Sequence, residues 1–227
     1  MDVNSDIIER IAGSSRPLVV CDVDEVVLEF LDPLDRYLNS VEHKLHPDSF
    51  KLHGNIRSIA GGVAATDEQV SEMQEAFFAS QDKWQTPAPD VVDVLKRLAA
   101  DADIVFLTAM PPRHHDIRRT VLDMHGLNHP MIATEEPKGP VVASLIGGRN
   151  IPAVFIDDIL RNHGSLRGSA PDCLLIHLMV NAVFRKMLPK ADQGIVVAED
   201  WADAERVIRK YLGLAAAGIS AKDANVR

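Results

Sequence analysis

Short apolar runs alternate with amphipathic segments along most of this chain. Runs rich in Val, Ile, Leu or Phe predict strands at 17–22, 103–108, 130–133, 153–157, 172–178 and 194–198. Apolar residues at helical spacing predict helices at 5–12, 90–100, 113–125, 139–146, from the end of the fourth strand to 167, and 201–212. Strands that alternate with helices are typical of an α/β fold with a doubly wound, parallel, Rossmann-like sheet.

The segment 32–86 interrupts this alternation. It contains two helical patterns, at 35–44 and 67–83, separated by a polar stretch with several His and Gly residues, 46–62. Thr66 and Gln69 have the spacing of a capping box at the start of the second helix. We therefore predict a small, mainly helical insertion at 32–86, a core formed by 1–31 and 87–213, and a flexible tail at 214–227 that lacks apolar periodicity.

Composition narrows the class of protein. The chain has 227 residues, of which 46% are hydrophobic, and a formal net charge of −9, which disfavours nucleic-acid binding. Its first residues lack the features of a signal peptide, and no apolar run reaches the roughly 18 residues of a membrane span. Cys21 and Cys173 lie in apolar segments, which favours buried, reduced thiols. We expect a cytoplasmic protein without a nucleic-acid or membrane partner, and the oligomeric state stays open.

Acidic residues stand at the ends of two predicted strands. Asp22 and Asp24 close the first strand, and Asp157 and Asp158 close the fourth. Carboxylates placed side by side repel each other, and a divalent cation is the usual compensation.

Two further residues stand at matching positions. Thr108 ends the second strand, and Lys138 lies where a helix begins. Because the carboxyl ends of parallel strands share one edge of the sheet, these side chains and the aspartates are expected to converge there. Together they supply a nucleophile, an acid/base, a hydroxyl donor, a cation and metal ligands, which is the equipment of phosphoryl transfer.

The order of these residues resembles the motifs of the haloacid dehalogenase (HAD) superfamily of phosphohydrolases. Asp22-Val-Asp24 is similar to the first motif, Thr108 to the second, Lys138 to the third, and Asp157-Asp158 to the fourth. The resemblance covers roughly residues 17–162 and implies a HAD core. It also implies that the insertion is a type 1 cap, which closes over the active site.

The resemblance implies a catalytic role for each residue. Asp22 would be the nucleophile that forms an aspartyl-phosphate, and Asp24 the general acid and then the base for water. Thr108, the backbone N–H of Ala109, and Lys138 would hold the phosphoryl group. Mg²⁺ would be bound by Asp22, Asp24 (through its carbonyl), Asp157 and Asp158, with Asp158 a direct ligand and Asp157 direct or acting through water.

The predicted function is hydrolysis of a small phosphomonoester by a Mg²⁺-dependent phosphatase. The basic residues of the insertion, with Trp84 and Gln85 near its return, suit a nucleotide or sugar phosphate or else form an ordinary solvated loop; they are His46, Lys51, His53 and Arg57. The alternative from a different class is a phospho-accepting regulatory protein, or a protein that binds a phosphorylated ligand without turnover.

Four other positions have two interpretations each. Glu25 stands where many HAD members have Gly, so it either adds negative charge beside the site or points to solvent. Asn162, four residues beyond Asp158, orients one of the aspartates or is an ordinary helix residue. His114 and His115 follow Arg113 on a polar helix start, which favours a solvated surface over catalysis.

Overall fold

The central sheet is parallel throughout and has six strands. A computed structural model describes residues 3–49 and 51–214. Within these residues the strands are β1 (Leu18–Cys21), β2 (His43–Leu45), β3 (Ile56–Ser58), β4 (Asp103–Thr108), β5 (Met131–Ala133), β6 (Ala153–Asp157), β7 (Leu174–Leu178) and β8 (Ile195–Ala198). The sheet has the order β5-β4-β1-β6-β7-β8, and β2 pairs with β3 in a separate antiparallel hairpin.

Helices cover both faces of the sheet, as expected for a doubly wound fold. In the same residues they are α1 (Val3–Ala12), α2 (Leu31–Ser40), α3 (Asp67–Ala79), α4 (Val91–Leu98), α5 (His115–Met124), α6 (Lys138–Ile146), α7 (Leu160–Ser169), α8 (Ala182–Arg185) and α9 (Trp201–Leu212). Short 3₁₀ turns at Gln81–Lys83 and Pro112–His114 precede α4 and α5. None of the described helices is long and apolar enough to cross a membrane.

Strand periodicity divides the core into two hydrophobic layers. In β1, Val19 and Cys21 pack into the layer beneath α4, α5 and α9, while Leu18 and Val20 pack into the layer beneath α6 and α7. All four side chains are fully buried, because successive residues of a strand point to opposite faces of the sheet. Cys21 and Cys173 are free and buried, as predicted.

The strand order reverses at β1. From β1 the chain builds β4 and β5 on one side of it, then returns to build β6, β7 and β8 on the other. Chain connections on the two sides of such a switch point diverge, which leaves a crevice at the carboxyl ends of the strands. Asp22 directly follows β1, so it lies at this crevice.

Most predicted helices and strands are confirmed, and for three of them the first and last residues are also as predicted. The strands at 103–108 and 153–157 and the helix at 201–212 have the predicted bounds. The capping box is present, because the Thr66 side chain accepts from the Gln69 N–H and the Gln69 side chain accepts from the Thr66 N–H. The predicted helix at 67–83 ends earlier, at Ala79. The predicted tail lies outside the described residues from 215 onward.

The helix predicted at 35–44 is misplaced. It begins four residues earlier, at Leu31, where the Glu25 carboxylate accepts a hydrogen bond from the Leu31 N–H at 2.8 Å. It ends at Ser40, and Glu42 has a left-handed φ of 59° that turns the chain into β2. Both ends therefore depend on contacts and backbone angles that apolar spacing does not reveal.

The hairpin β2–β3 and the four-residue α8 were not predicted. Three-residue strands carry too few apolar side chains to give a period of two. The insertion packs its aromatic side chains together with residues from the loops at the carboxyl edge of the sheet. This cluster includes Leu34, Tyr37, Phe77, Phe78, Met110, Met179 and Phe184. The insertion thus covers the strand ends, while its division from the core as a cap domain stays a prediction.

Candidate active site

Three aspartates meet at the carboxyl edge of the sheet. Asp22 follows β1, Asp157 is the last residue of β6, and Asp158 is next to it. All three are buried, and one carboxylate oxygen from each lies within 4.8 Å of the others. Parallel pairing of β1 with β6 sets this distance, because it aligns Cys21 with Ile156 and so brings the two strand ends level.

Lys138 is the only cation in direct contact with this cluster among the described residues. Its Nζ lies 2.7 Å from Asp22 Oδ1 and 2.7 Å from Asp157 Oδ2. Lys138 is the first residue of α6, and the next residue, Gly139, allows α6 to approach α7 closely. A Cβ on Gly139 would collide with the Ser165 carbonyl oxygen, so the position of Lys138 depends on this glycine.

The charges of the cluster do not balance. Burial raises the pKa of Asp22 to about 7, with Asp157 adding to the rise and Lys138 opposing it. Burial also raises the pKa of Asp158 well above its ordinary value, with Asp157 and Asp22 adding to it. Burial would lower the pKa of Lys138, but Asp157 and Asp22 raise it instead. One ammonium therefore serves three buried carboxylates.

Asp157 and Asp158 have very different surroundings. Asp157 is held by Lys138, by the Ile159 N–H at 2.7 Å, and by Asn162 Nδ2 at 3.0 Å from each carboxylate oxygen. The orienting contact considered for Asn162 is thus present. Asp158 makes no hydrogen bond or ion pair with any other described residue. Its buried, unpartnered carboxylate fits a divalent cation that prefers oxygen ligands.

Asp22 keeps one carboxylate oxygen free. Its Oδ1 accepts from the Val23 N–H at 2.7 Å and from Lys138, whereas Oδ2 has no donor among the described residues. A carboxylate held at one oxygen has a fixed orientation and an available second oxygen. That is the arrangement a nucleophile or a metal ligand requires.

Thr108 lies just behind the cavity that the aspartates open into. It is buried, and its Oγ1 accepts from the Met110 N–H at 3.1 Å. Ala109 and Met110 line the cavity itself. The Thr108 hydroxyl can still donate, because its hydrogen is not used in the contact with Met110.

Asp24 is held by different residues from Asp22. Arg118 Nη2 lies 2.9 Å from Asp24 Oδ1 and 3.2 Å from Oδ2, and Gln85 Nε2 donates to Oδ1 at 2.9 Å. The repulsion between Asp22 and Asp24 that the sequence indicated is therefore offset by two protein cations, Lys138 and Arg118. Sequence reasoning missed Arg118. Its signal is the spacing of three and four residues to the buried Val121 and Leu122, which places it on the buried stripe of α5.

The same architecture recurs in solved structures, although no family model and no curated protein matches the sequence. A haloacid dehalogenase-like family hydrolase from Streptococcus pneumoniae aligns with 86% of this chain and 97% of its own, at 13% identity and a TM-score of 0.55. A predicted phosphoglycolate phosphatase from Haemophilus somnus covers 86% of this chain and 99% of its own, at 14% identity and a TM-score of 0.55. The chain has the haloacid dehalogenase fold.

A third structure with this fold contains a ligand. It is a HAD family hydrolase from Deinococcus radiodurans with bound phosphate and sodium, aligned with 87% of this chain and 98% of its own at 12% identity and a TM-score of 0.55. At such identities the likeness establishes the fold alone.

Glu25 does not point to solvent, so that alternative is wrong. It is buried, and its φ of 63° lies in the left-handed region that favours glycine. The contact of its carboxylate with the Leu31 N–H, at the first residue of α2, compensates for this backbone conformation. Burial raises the pKa of Glu25 to about 7. Glu25 therefore ties the first residue of α2, at the entry of the insertion, to the site.

The prediction of a solvated surface is wrong for His114. Its side chain is buried, its Nε2 lies 2.9 Å from Glu75 Oε1, and its ring packs against Phe78. Both partners belong to α3 of the insertion, which the helical pattern around His114 could not reveal. Arg113 also binds Glu75, while His115 is half-buried beside the exposed Asp116.

A cavity of about 600 Å³ opens above the aspartates. Most of the exposed area of its lining is apolar and includes Phe30, Leu31, Leu52, Phe78, Met110, Ile159, Met179 and Phe184. Polar and charged side chains also line it, among them Gln74, Glu75, Arg113, Arg161 and Asn162. Of the basic residues in the insertion that the sequence singled out, only Lys51 lines it. Arg57 instead pairs with Asp48, and Trp84 packs against Tyr37.

Two histidines are buried behind Asp157. His163 Nε2 lies 3.1 Å from the Asp157 carbonyl, while His163 Nδ1 and both ring nitrogens of His177 have no hydrogen-bond partner in the described part of the chain. Burial lowers the pKa of His163 and of His177 below the ordinary histidine value. Both rings are therefore neutral in the folded protein near neutral pH.

This neutrality predicts a pH-dependent effect of His177→Phe. As pH falls through about 6.5, the two histidine rings bind protons in the unfolded chain but stay neutral in the folded chain. The free energy of unfolding therefore decreases as pH falls. Asp22 and Glu25, with pKa values raised to about 7, act in the opposite direction, so wild type and variant must be compared at each pH. From about pH 7.5 to 5.5, we expect the Tm of wild type to fall relative to the variant by roughly 2–4 °C. Thermal unfolding in EDTA measures this, and parallel Tm curves would contradict it.

Proposed function

We propose that this chain is a Mg²⁺-dependent phosphatase of the HAD superfamily that cleaves a small phosphomonoester. The observation that carries the proposal is the buried cluster of Asp22, Asp157 and Asp158 around Lys138, at the switch point of the sheet and beneath a cavity. A buried acidic cluster with one ammonium is costly to fold, which is typical of catalytic sites rather than of structural ones.

The reaction follows from the free oxygen of Asp22. Asp22 Oδ2 attacks phosphorus, a P–O bond forms to the carboxylate, and the ester P–O bond breaks. The leaving oxygen takes a proton from Asp24, which lines the same cavity. Water then gives a proton to Asp24 and attacks phosphorus, which releases inorganic phosphate and restores Asp22.

Lys138 and the β4 loop are proposed to hold the transferring group. The Lys138 ammonium lies 2.7 Å from the nucleophile, where it offsets the charge that builds up on the phosphoryl oxygens. The proposed donors to those oxygens are the hydroxyl of Thr108, which is buried just behind the cavity, and the N–H of Ala109, a residue that lines it.

The proposed metal ligands are Asp22, Asp158 and the Asp24 carbonyl. Because Lys138, Asn162 and the Ile159 N–H already occupy Asp157, we propose that Asp157 acts through water. When bound, Mg²⁺ would neutralise negative charge on the carboxylates and on the phosphate. The expected cytoplasmic location and the expected absence of nucleic-acid and membrane partners stay predictions.

The cavity wall supports a substrate with an apolar or aromatic face. The mostly apolar lining suits such a body better than a bare polyhydroxy sugar, and Lys51 and Arg161 line the same cavity without an acidic partner among the described residues. The apolar lining can contact an aromatic or apolar group of the substrate, while a short polar linker carries the phosphate to the aspartates. A nucleoside monophosphate is one ester of this kind.

Phosphate release from a panel of phosphomonoesters, with Mg²⁺ and with EDTA, tests the proposal. Metal-dependent release by wild type that is absent in Asp22→Asn supports it. A folded wild-type protein that becomes stoichiometrically phosphorylated, or binds a phosphorylated ligand without releasing phosphate, would favour the regulatory alternative. Faster release from bare sugar phosphates than from esters with an aromatic body would overturn the substrate assignment alone.

Metal binding predicts a separate effect on stability. A cation that binds only the folded chain stabilises it by about 2.7 kcal/mol at a concentration of 100 times Kd, or several degrees in Tm. We expect Mg²⁺ to raise the Tm of wild type and to leave that of Asp158→Asn nearly unchanged. Asp192→Asn, at an exposed acid far along the sequence, is the matched control and is expected to respond like wild type. An equal response of wild type and Asp158→Asn would contradict the prediction.

A further inference from the structure

Arg118 is buried at a position outside the four motifs. It lies on α5 with none of its surface exposed, and burial of a guanidinium is costly unless it is paired. Its partners are Asp24, the side-chain oxygen of Gln81, and the ring of Phe78. Its Nη1 has no partner within the described residues, so the guanidinium is not fully satisfied even by these contacts.

The contacts of Asp24 are concentrated on one of its oxygens. Oδ1 accepts from Arg118 at 2.9 Å and from Gln85 at 2.9 Å, whereas Oδ2 has only the longer contact of 3.2 Å with Arg118. The Asp24 side chain remains 21% exposed and lines the cavity. Two donors therefore fix the rotation of the carboxylate and leave Oδ2 as the oxygen that is easiest to engage.

Residues on the return of the insertion complete this arrangement. Gln85 Nε2 also donates to the Glu29 carbonyl at 3.0 Å, so one amide joins Asp24 to the segment that leads into the insertion. Gln81 donates to the Phe78 carbonyl at 2.8 Å while it accepts from Arg118. The two donors to Asp24 are thus fixed in turn by other contacts, Gln85 by the Glu29 carbonyl and Arg118 by the Gln81 side chain.

We infer that Arg118, supported by Gln81 and Gln85, is a positioning residue that orients the Asp24 carboxylate toward the leaving oxygen. This inference rests on the proposed function, in which Asp24 gives a proton to that oxygen. It predicts that loss of Arg118 impairs only substrates whose leaving group needs a proton. A nitrophenolate leaves readily as an anion, whereas an alkoxide does not.

Steady-state kinetics of Arg118→Met on two esters test the inference. The probes are p-nitrophenyl phosphate and the alkyl phosphomonoester that wild type hydrolyses fastest. We expect kcat to fall roughly 10–100-fold for the alkyl ester and less than about 3-fold for the nitrophenyl ester, with KM nearly unchanged. Arg119→Met removes a guanidinium from the next position of the same helix, where it binds Asp123, and is expected to preserve the ratio of the two rates.

A double-mutant cycle separates positioning from a general structural role. If Arg118 acts through Asp24, Arg118→Met combined with Asp24→Asn loses no more alkyl-ester activity than Asp24→Asn alone. Equal losses on both esters, or additive losses in the double variant, would overturn the inference. Should Arg118→Met fail to fold, Gln85→Leu decides, because it removes the second donor to Asp24 Oδ1 and leaves Arg118 in place. We expect Gln85→Leu to lower kcat for the alkyl ester, by less than Arg118→Met would, and to leave kcat for the nitrophenyl ester unchanged. If Gln85→Leu does not lower kcat for the alkyl ester, the inference is overturned.

The experiments distinguish failure of the proposed function from failure of the role of Arg118. If wild type releases no phosphate in the presence of metal, the proposed function is wrong. If wild type is active and folded Arg118→Met keeps the same ratio of rates on the alkyl and nitrophenyl esters, only the role of Arg118 is wrong.

Discussion

Asp22→Asn is expected to lower phosphate release by roughly 10⁴-fold or more, the scale on which removal of a covalent nucleophile acts. The amide is nearly the same size as the carboxylate, and its oxygen can still accept from the Val23 N–H and from Lys138. An amide cannot attack phosphorus, however, so no aspartyl-phosphate forms.

Stability should be nearly unaffected by this substitution. Burial raises the pKa of Asp22 to about 7, so the cost of keeping this carboxylate charged is already large in the folded protein. A neutral amide removes that cost, and the Tm in EDTA is expected to stay within a few degrees of wild type. Loss of activity would then report chemistry rather than unfolding.

Rapid acid quench during turnover measures the intermediate directly. Wild type is expected to retain an alkali-labile phosphoryl group on the chain, and Asp22→Asn none. Asp116→Asn changes the same residue type at a fully exposed side chain and is the matched control, with activity expected to equal that of wild type. Substantial turnover by Asp22→Asn would show that Asp22 is not the nucleophile.

Lys138→Met is expected to damage both stability and catalysis. Removal of the ammonium leaves Asp22, Asp157 and Asp158 buried together without a cation, and such uncompensated burial costs about 3–5 kcal/mol. Catalysis is expected to fall by roughly 10²–10³-fold, because charge on the transferring group loses a partner at close range. Thermal unfolding in EDTA and phosphate release in Mg²⁺ measure the two effects separately.

The loss of stability should depend on pH and on metal. The carboxylates have raised pKa values, so between their ordinary range near pH 4 and their raised values the folded chain binds more protons than the unfolded chain. Lys138 opposes this rise in wild type, so its removal raises the pKa values of the carboxylates further, and the variant loses more stability than wild type as pH rises through this window. The deficit of the variant is therefore larger near pH 7.5 than near pH 5.5. Mg²⁺ should recover part of the deficit, because it supplies positive charge to the same oxygens.

Lys96→Met is the matched control for this variant. Lys96 is exposed on α4, so the same change there removes a positive charge without uncovering buried carboxylates. We expect its Tm and activity to match those of wild type. An equally mild effect of Lys138→Met would show that the short contacts of Lys138 do not stabilise the cluster.

Periodicity was sufficient to determine the architecture of the core. The run Leu18–Cys21 and its counterparts at 103–108 and 153–157 are apolar and bounded by turns, and helical patterns between them imply a parallel sheet. Parallel pairing then sends every strand's carboxyl end to one edge. This is why Asp22, Thr108 and Asp157 could be placed near one another before any distance was known.

The insertion was predicted less well because its elements are short and depend on contacts distant in sequence. The start of α2 relies on the Glu25 carboxylate, and β2 and β3 stabilise each other across three residue pairs. His114 shows the same limitation, since a helix pattern cannot reveal that Glu75 and Phe78 from another segment cover its ring.

The sequence by itself determined the parallel α/β core, the residue types of the site and their positions at strand ends and a helix start, because local periodicity governs these features. Only the tertiary structure decided which charges are paired. It assigned Lys138 to Asp22 and Asp157, Arg118 to Asp24, and no partner among the described residues to Asp158. Such pairing depends on distances of a few ångströms between residues that lie from 19 to 116 positions apart, set by helix packing that sequence spacing does not specify.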